Sequence, residues 1–82
     1  MSVATITPAT CRAARGLVDW TQRQLAEAAR VGLSTVKGFE AGTSAPMGNN
    51  LRAIQEALEG AGVEFTPENG GGVGVRRKAR TG

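Results

Sequence analysis

The feature that most constrains this chain is the stretch TQRQLAEAARVGLSTVKGFE, residues 21–40, where two helical patterns stand back to back with three residues between them. Thr21 lies three residues before Gln24, which is the spacing of a capping box: each side chain satisfies a backbone N–H that the first helical turn leaves unpaired. Trp20 precedes the cap and Leu25 occupies the fourth helical position, so the two are placed to form a hydrophobic staple. Leu25, Ala28 and Ala29 can face inward, while Arg23 and Glu27 make an i,i+4 pair outside. The spacing predicts a helix over 22–29. Arg30-Val31-Gly32 is a short turn. The pattern resumes from Leu33 to Phe39, with Val36 and Phe39 inward and Gly42 as the stop.

Flanking signals extend this pair. Thr7-Pro8 reads as an N-cap followed by the first helical position, where proline lacks only an N–H that would be unpaired anyway. Cys11, Ala14 and Leu17 share a face, and Gly16 is a plausible helix end, which predicts a helix over 8–15. Beyond the Ser44-Ala45-Pro46 break, Leu51, Ile54, Ala57, Leu58 and Ala61 form an apolar stripe at helical spacing, predicting a helix over 48–60 closed by Gly62. Val63-Glu64-Phe65-Thr66 and Val73-Gly74-Val75-Arg76 then alternate as strands do, around a turn cluster at 67–72. The expected organisation is a flexible N-terminus (1–6), a four-helix domain (7–62), a β-hairpin (63–76) and a basic disordered tail (77–82).

Eighty-two residues allow one small domain whose stability is marginal or shared with a second copy. One cysteine and no histidine exclude a disulfide framework and a Cys/His zinc site within one chain, and fit a reducing, cytoplasmic setting. No apolar run approaches membrane-spanning length, and MSVATITPAT lacks the features of a signal peptide. The net charge of +3 is lopsided. Residues 76–82 hold Arg76, Arg77, Lys78 and Arg80, or +4, and residues 1–75 hold six basic and seven acidic side chains, or −1. The basic character therefore belongs to the tail, and overall charge is weak support for nucleic-acid binding.

In this order of helices the sequence resembles the Cro/repressor-like (XRE-type) helix-turn-helix family of small bacterial or phage regulators. The resemblance covers about residues 9–61. It is carried by Arg15, Trp20-Thr21-Gln22, Leu25-Ala26, Val31, Val36, Phe39-Glu40, Gly42, Pro46 and the Leu51, Ile54, Leu58 stripe. It implies a mainly α fold, a four-helix helix-turn-helix domain, here with a C-terminal β-hairpin appended. Ala26 is small where the two helices cross. By resemblance, Arg15 and Glu40 form an ion pair tying the first helix to the end of the third.

The resemblance also implies a DNA-contacting set: Gln22, Gly32, Leu33, Ser34, Thr35, Lys37, Gly38 and Thr43. The third helix would enter the major groove with its N-terminal residues at base edges. Gln22 and Thr43 would meet phosphates, and Lys37 suits phosphate or guanine. Each has a plainer use. Ser34 can assist capping, Lys37 can be a solvated charge, Gln22 is a good early-helix residue, and Leu33 either touches a thymine methyl or joins the core. The tail's cations either touch phosphates or keep the terminus soluble. Three residues depart from the family pattern. Arg30 stands where glycine usually takes a left-handed conformation, and Gly32 where Ser or Thr usually caps. Gly38 weakens its helix and removes a base-reading side chain, with close approach to DNA as its compensating use.

The function expected is a sequence-specific DNA-binding transcriptional regulator. It would be a repressor binding double-stranded DNA as a homodimer on an inverted repeat, with Val63, Phe65, Val73 and Val75 or the strand edges as dimer candidates. The alternative is a protein-interaction module on the same scaffold, such as an antitoxin or anti-activator holding a toxin or activator. No catalytic residues, metal ligands or cofactor are expected. Cys11 lies on a core face, there is no carboxylate cluster, and Gly70-Gly71-Gly72 opens no helix that would bind a nucleotide.

Overall fold

The computed structural model describes residues 6–66 and 74–78. Four helices and two strands follow in order: α1 (Pro8–Val18), α2 (Gln22–Ala29), α3 (Leu33–Ala41), α4 (Gly48–Gly60), β1 (Val63–Thr66) and β2 (Gly74–Arg77). The chain is mainly helical with a C-terminal antiparallel hairpin, as its sequence predicts.

Local chemistry sets most of the boundaries. Thr7 caps α1 in an extended conformation, its hydroxyl accepting the Thr10 N–H while the Thr10 hydroxyl accepts the Thr7 N–H. Thr21 and Gln24 do the same for α2 at 3.0 and 2.8 Å, the reciprocal box expected there. α3 ends at Gly42, whose φ of 75° is the left-handed conformation glycine adopts without a Cβ penalty.

Two boundary expectations are corrected. Gly16 does not end α1. The helix continues to Val18 and stops at Asp19, left-handed at φ 57°, whose N–H reaches the Arg15 carbonyl. Gly16 faces solvent, whereas Leu17 and Val18 pack against the core, so packing carries the helix past the glycine. Ile6, expected in a loose start, is buried, and the Gln55 side chain accepts its N–H at 3.1 Å. The other residues of that expected start, 1–5, lie outside the described residues.

The core is built from Ile6, Cys11, Ala14, Leu25, Ala26, Ala29, Val36, Phe39, Ile54, Leu58, Val63 and Phe65. Trp20 packs against this cluster from its cap-adjacent position, as a staple residue should. Ala28, expected inward, is exposed, whereas Ala26, expected at the helix crossing, is buried. Arg23 and Glu27 are both exposed and do not pair. The ion pairs among the described residues are Arg15–Glu40 and Arg76–Glu64.

The hairpin packs on α1 and α4. Its register pairs Val63 with Arg77, Glu64 with Arg76, Phe65 with Val75 and Thr66 with Gly74. Val63 and Phe65 are buried in the chain's own core and Val75 is half-buried against it. The expected dimer face is thus turned inward for Val63 and Phe65, because a two-stranded sheet needs a helical layer to cover its apolar side. Val73 lies outside the described residues. The expected disordered tail also starts too early. Arg77 belongs to β2, and Lys78 is tied to the end of α4, its N–H on the Gly62 carbonyl at 2.7 Å and its ammonium on the Glu59 carbonyl at 3.2 Å. Residues 79–82 lie outside the described residues.

Candidate nucleic-acid interface

α3 packs against α1 and α2 and leaves Ser34, Lys37 and Ala41 exposed. The i, i+3, i+7 spacing puts these three on one helix face. Gly32 starts the helix in an extended conformation and no side chain caps it. Ser34 therefore does not cap, and its hydroxyl faces solvent. Lys37 forms no ion pair among the described residues. Leu33 is half-buried against the core, so the plainer of its two readings holds for part of its surface. Thr35 is half-buried beside it.

The turn before α3 keeps the left-handed residue expected there. Arg30 has φ 59°, and its N–H closes the end of α2 on the Ala26 and Glu27 carbonyls. An L-residue in this conformation costs roughly 1 kcal/mol relative to glycine.

Three members of the expected contact set are engaged inside the protein. The Gln22 amide donates to Glu40 at 2.9 Å instead of standing free at the start of α2. Thr43 directs its N–H (2.9 Å) and hydroxyl (3.3 Å) to the Gly38 carbonyl, which also accepts the Ser44 N–H at 3.3 Å. These bonds satisfy the end of α3, whose last carbonyls lack helical partners. A Cβ on Gly38 would collide with the Ser44 hydroxyl oxygen and lie 3.4 Å from the Ser44 Cβ. The glycine makes room for the 43–44 turn, an internal use for the missing side chain.

Behind this face, Glu40 gathers donors from two other helices. Arg15 grips it with two bonds, Nε to Oε2 at 2.7 Å and Nη2 to Oε1 at 2.8 Å, and its remaining nitrogen donates to the Trp20 carbonyl at 2.9 Å. Cys11 Sγ donates to Oε2 at 3.0 Å, and Arg12 binds the Glu40 carbonyl. Burial alone would raise the Glu40 pKa. The hydrogen bonds from Arg15, Cys11 and Gln22, with the Arg15 charge, outweigh it and hold the carboxyl below its ordinary value. The bond to Glu40 pushes the Arg15 pKa up, and burial pushes the Cys11 thiol up, so Cys11 acts as a donor and not as a thiolate.

This geometry, a capped helix, a left-handed turn and a second helix clamped by an Arg–Glu pair, has a match in sequence. A family model described as helix-turn-helix, of the Cro/C1 type, covers residues 12–65, more than half of the chain. The chain belongs to the Cro/C1-type helix-turn-helix family. Membership makes it a DNA-binding helix-turn-helix regulator. No curated protein matches it as a relative. The exposed face of α3 carries a hydroxyl, an ammonium and a methyl group. No helix among the described residues is long and apolar enough to cross a membrane. Sequence reasoning missed Cys11 and Gln22 as donors to Glu40. They lie 29 and 18 residues from it, and no local spacing encodes that convergence.

Proposed function

We propose that the protein is a transcriptional repressor, acting in the cytoplasm as a homodimer on an inverted-repeat operator. The observation that carries this reading is the exposed Ser34–Lys37–Ala41 face on a helix fixed from behind by the Arg15–Glu40 clamp. Lys37 is free for phosphate or for guanine O6 and N7, Ser34 for either base or backbone, and the exposed part of Leu33 for a thymine methyl. So few reading groups leave one copy with little discrimination, and a second copy doubles them. A two-fold arrangement on DNA sets half-sites about one turn, roughly 34 Å, apart. Occupancy of such a site blocks polymerase by exclusion.

Selection of bound duplexes from random DNA tests this reading. The expected product is a palindromic pair of short half-sites at one-turn spacing, with salt-sensitive gel retardation. Absence of any enriched motif, together with no retarded species at low salt, overturns it. A second reading, a protein-interaction module such as an antitoxin or anti-activator, draws support from the appended hairpin, which lies on α1 and α4 and not on the reading helix.

A further inference from the structure

The two strands of the hairpin differ in exposure: β1 alternates buried and half-buried residues, and β2 ends in exposed ones. Both strands pack on α1, and β1 packs on α4 as well; Val63 and Phe65 of β1 are buried, whereas in β2 Val75 is half-buried and Arg76 and Arg77 are exposed, as is Lys78 beyond them. The Lys78 N–H bonds the Gly62 carbonyl. In an antiparallel ladder bonded and non-bonded pairs alternate. With the observed register, Glu64–Arg76 and Thr66–Gly74 are then the bonded pairs, and the N–H and C=O groups of Val75 and Arg77 point away from β1. Neither residue has another backbone or side-chain hydrogen bond among the described residues. Among the described residues this edge, two residues and four polar groups, is unpaired.

We propose that this edge takes a third strand: an extended acidic segment of another protein. Strand addition supplies main-chain hydrogen bonds, and the flanking side chains select the sequence. Arg77 shares a face with Val75, so the guest residue opposite Arg77 is acidic and the one opposite Val75 is apolar. On the other face Arg76 is offset in part by Glu64, whose carboxylate accepts its Nε–H at 2.7 Å, and Lys78 adds a further cation.

A second copy of the chain is disfavoured in two of its three registers. Its outward groups allow three antiparallel self-registers. Setting Val75 opposite Arg77 places Arg76 directly against Arg76 of the other copy. Setting Arg77 opposite Arg77 joins like charges there and puts Arg76 against Lys78. Like charges directly opposite destabilise a strand pair. The remaining register, Val75 opposite Val75, sets Arg76 against Gly74 and brings no like charges together, so it is the one self-pairing that the charges allow. Basic edge side chains of this kind are a common defence against self-pairing.

The test uses the full chain and a synthetic acetylated and amidated hexapeptide, Thr-Glu-Glu-Val-Thr-Val, with a counterpart carrying Lys for both Glu. Amide hydrogen exchange is read residue by residue. The acidic peptide is expected to slow exchange at Val75 and Arg77 and leave gel retardation of DNA unchanged. Arg77→Glu, an exposed site, is expected to weaken the acidic peptide and favour the basic one, each by at least about fivefold. No slowing at millimolar peptide overturns the proposal, as does equal slowing by the basic peptide. Slowing without peptide, rising with protein concentration as a dimer sediments, assigns the edge to a second copy. Slowing by duplex DNA alone makes it a phosphate surface. None of these outcomes bears on whether α3 reads DNA.

Discussion

At the scale of single residues, Glu40 has the largest consequence. It is 3% exposed and accepts side-chain bonds from Arg15, Cys11 and Gln22. Removing one partner of a buried ion pair leaves the other charge without compensation. Arg15→Ala is therefore expected to lower unfolding free energy by about 3 kcal/mol, read as a lower denaturant midpoint at unchanged slope. The pH dependence follows from the depressed Glu40 pKa. Its contribution is complete above the unfolded carboxyl pKa of about 4.3 and is lost as pH falls from there through the lower native value. Native protein should lose stability across that acid window, and the Arg15→Ala variant should show a smaller loss there. Gly38 makes an opposite prediction. Its cramped neighbour is the hydroxyl of Ser44, an exposed side chain. Gly38→Ala in a Ser44→Ala background should gain up to about 1 kcal/mol from helix propensity. DNA affinity should persist in that double variant, since the room at Gly38 serves the turn. A loss of DNA affinity with stability gained would instead restore the close-approach role.

At the scale of elements, legibility followed locality. α2 was readable to its ends because Thr21 and Gln24 write its start in a three-residue spacing and the following turn closes it. α1 was readable at its start and not at its end. Its stop depends on Leu17 and Val18 meeting the core and on the Arg15 carbonyl collecting the N–H groups of Asp19 and Trp20, which outvotes a solvent-facing glycine. The hairpin was visible in its alternation, but the layer its apolar face would choose was not. That choice depends on α1 and α4 lying beneath it. The Arg15–Glu40 pair became legible only through family resemblance, while the Gln22 and Cys11 bonds that complete it were not legible. The α2–α3 turn carries its own prediction. Arg30 is exposed, left-handed, and its side chain makes no hydrogen bond among the described residues. Arg30→Gly removes the steric cost of that conformation but raises the entropy of the unfolded chain. The balance should stabilise by about 0.5 kcal/mol, whereas β-branched Arg30→Val should destabilise by more than about 1 kcal/mol. Thermal midpoints in the two variants should move in opposite directions.

At the scale of the whole molecule, the exposed cations are unevenly spread. The hairpin end carries Arg76, Arg77 and Lys78, while the exposed Ser34–Lys37–Ala41 face of α3 carries Lys37 alone. Lys37 is therefore the one cation through which the exposed face of α3 can contribute to the salt dependence of DNA binding. For duplex DNA, the slope of log affinity against log salt changes by about 0.9 for every phosphate neutralised. If Lys37 contacts a phosphate, Lys37→Ala should make the slope shallower by about 0.9 for one bound copy and about 1.8 for two. The substitution removes an exposed, unpaired ammonium from a helix held by contacts elsewhere, so the fold should survive it. A change near 1.8 on the selected palindrome, falling to about 0.9 on an isolated half-site, would establish both the phosphate contact and the two-copy complex. An unchanged slope with lost sequence preference would place Lys37 on a base, where its energy depends on groove geometry more than on counterion release. An unchanged slope with unchanged preference would leave Lys37 outside the interface and move the reading function off the exposed face of α3.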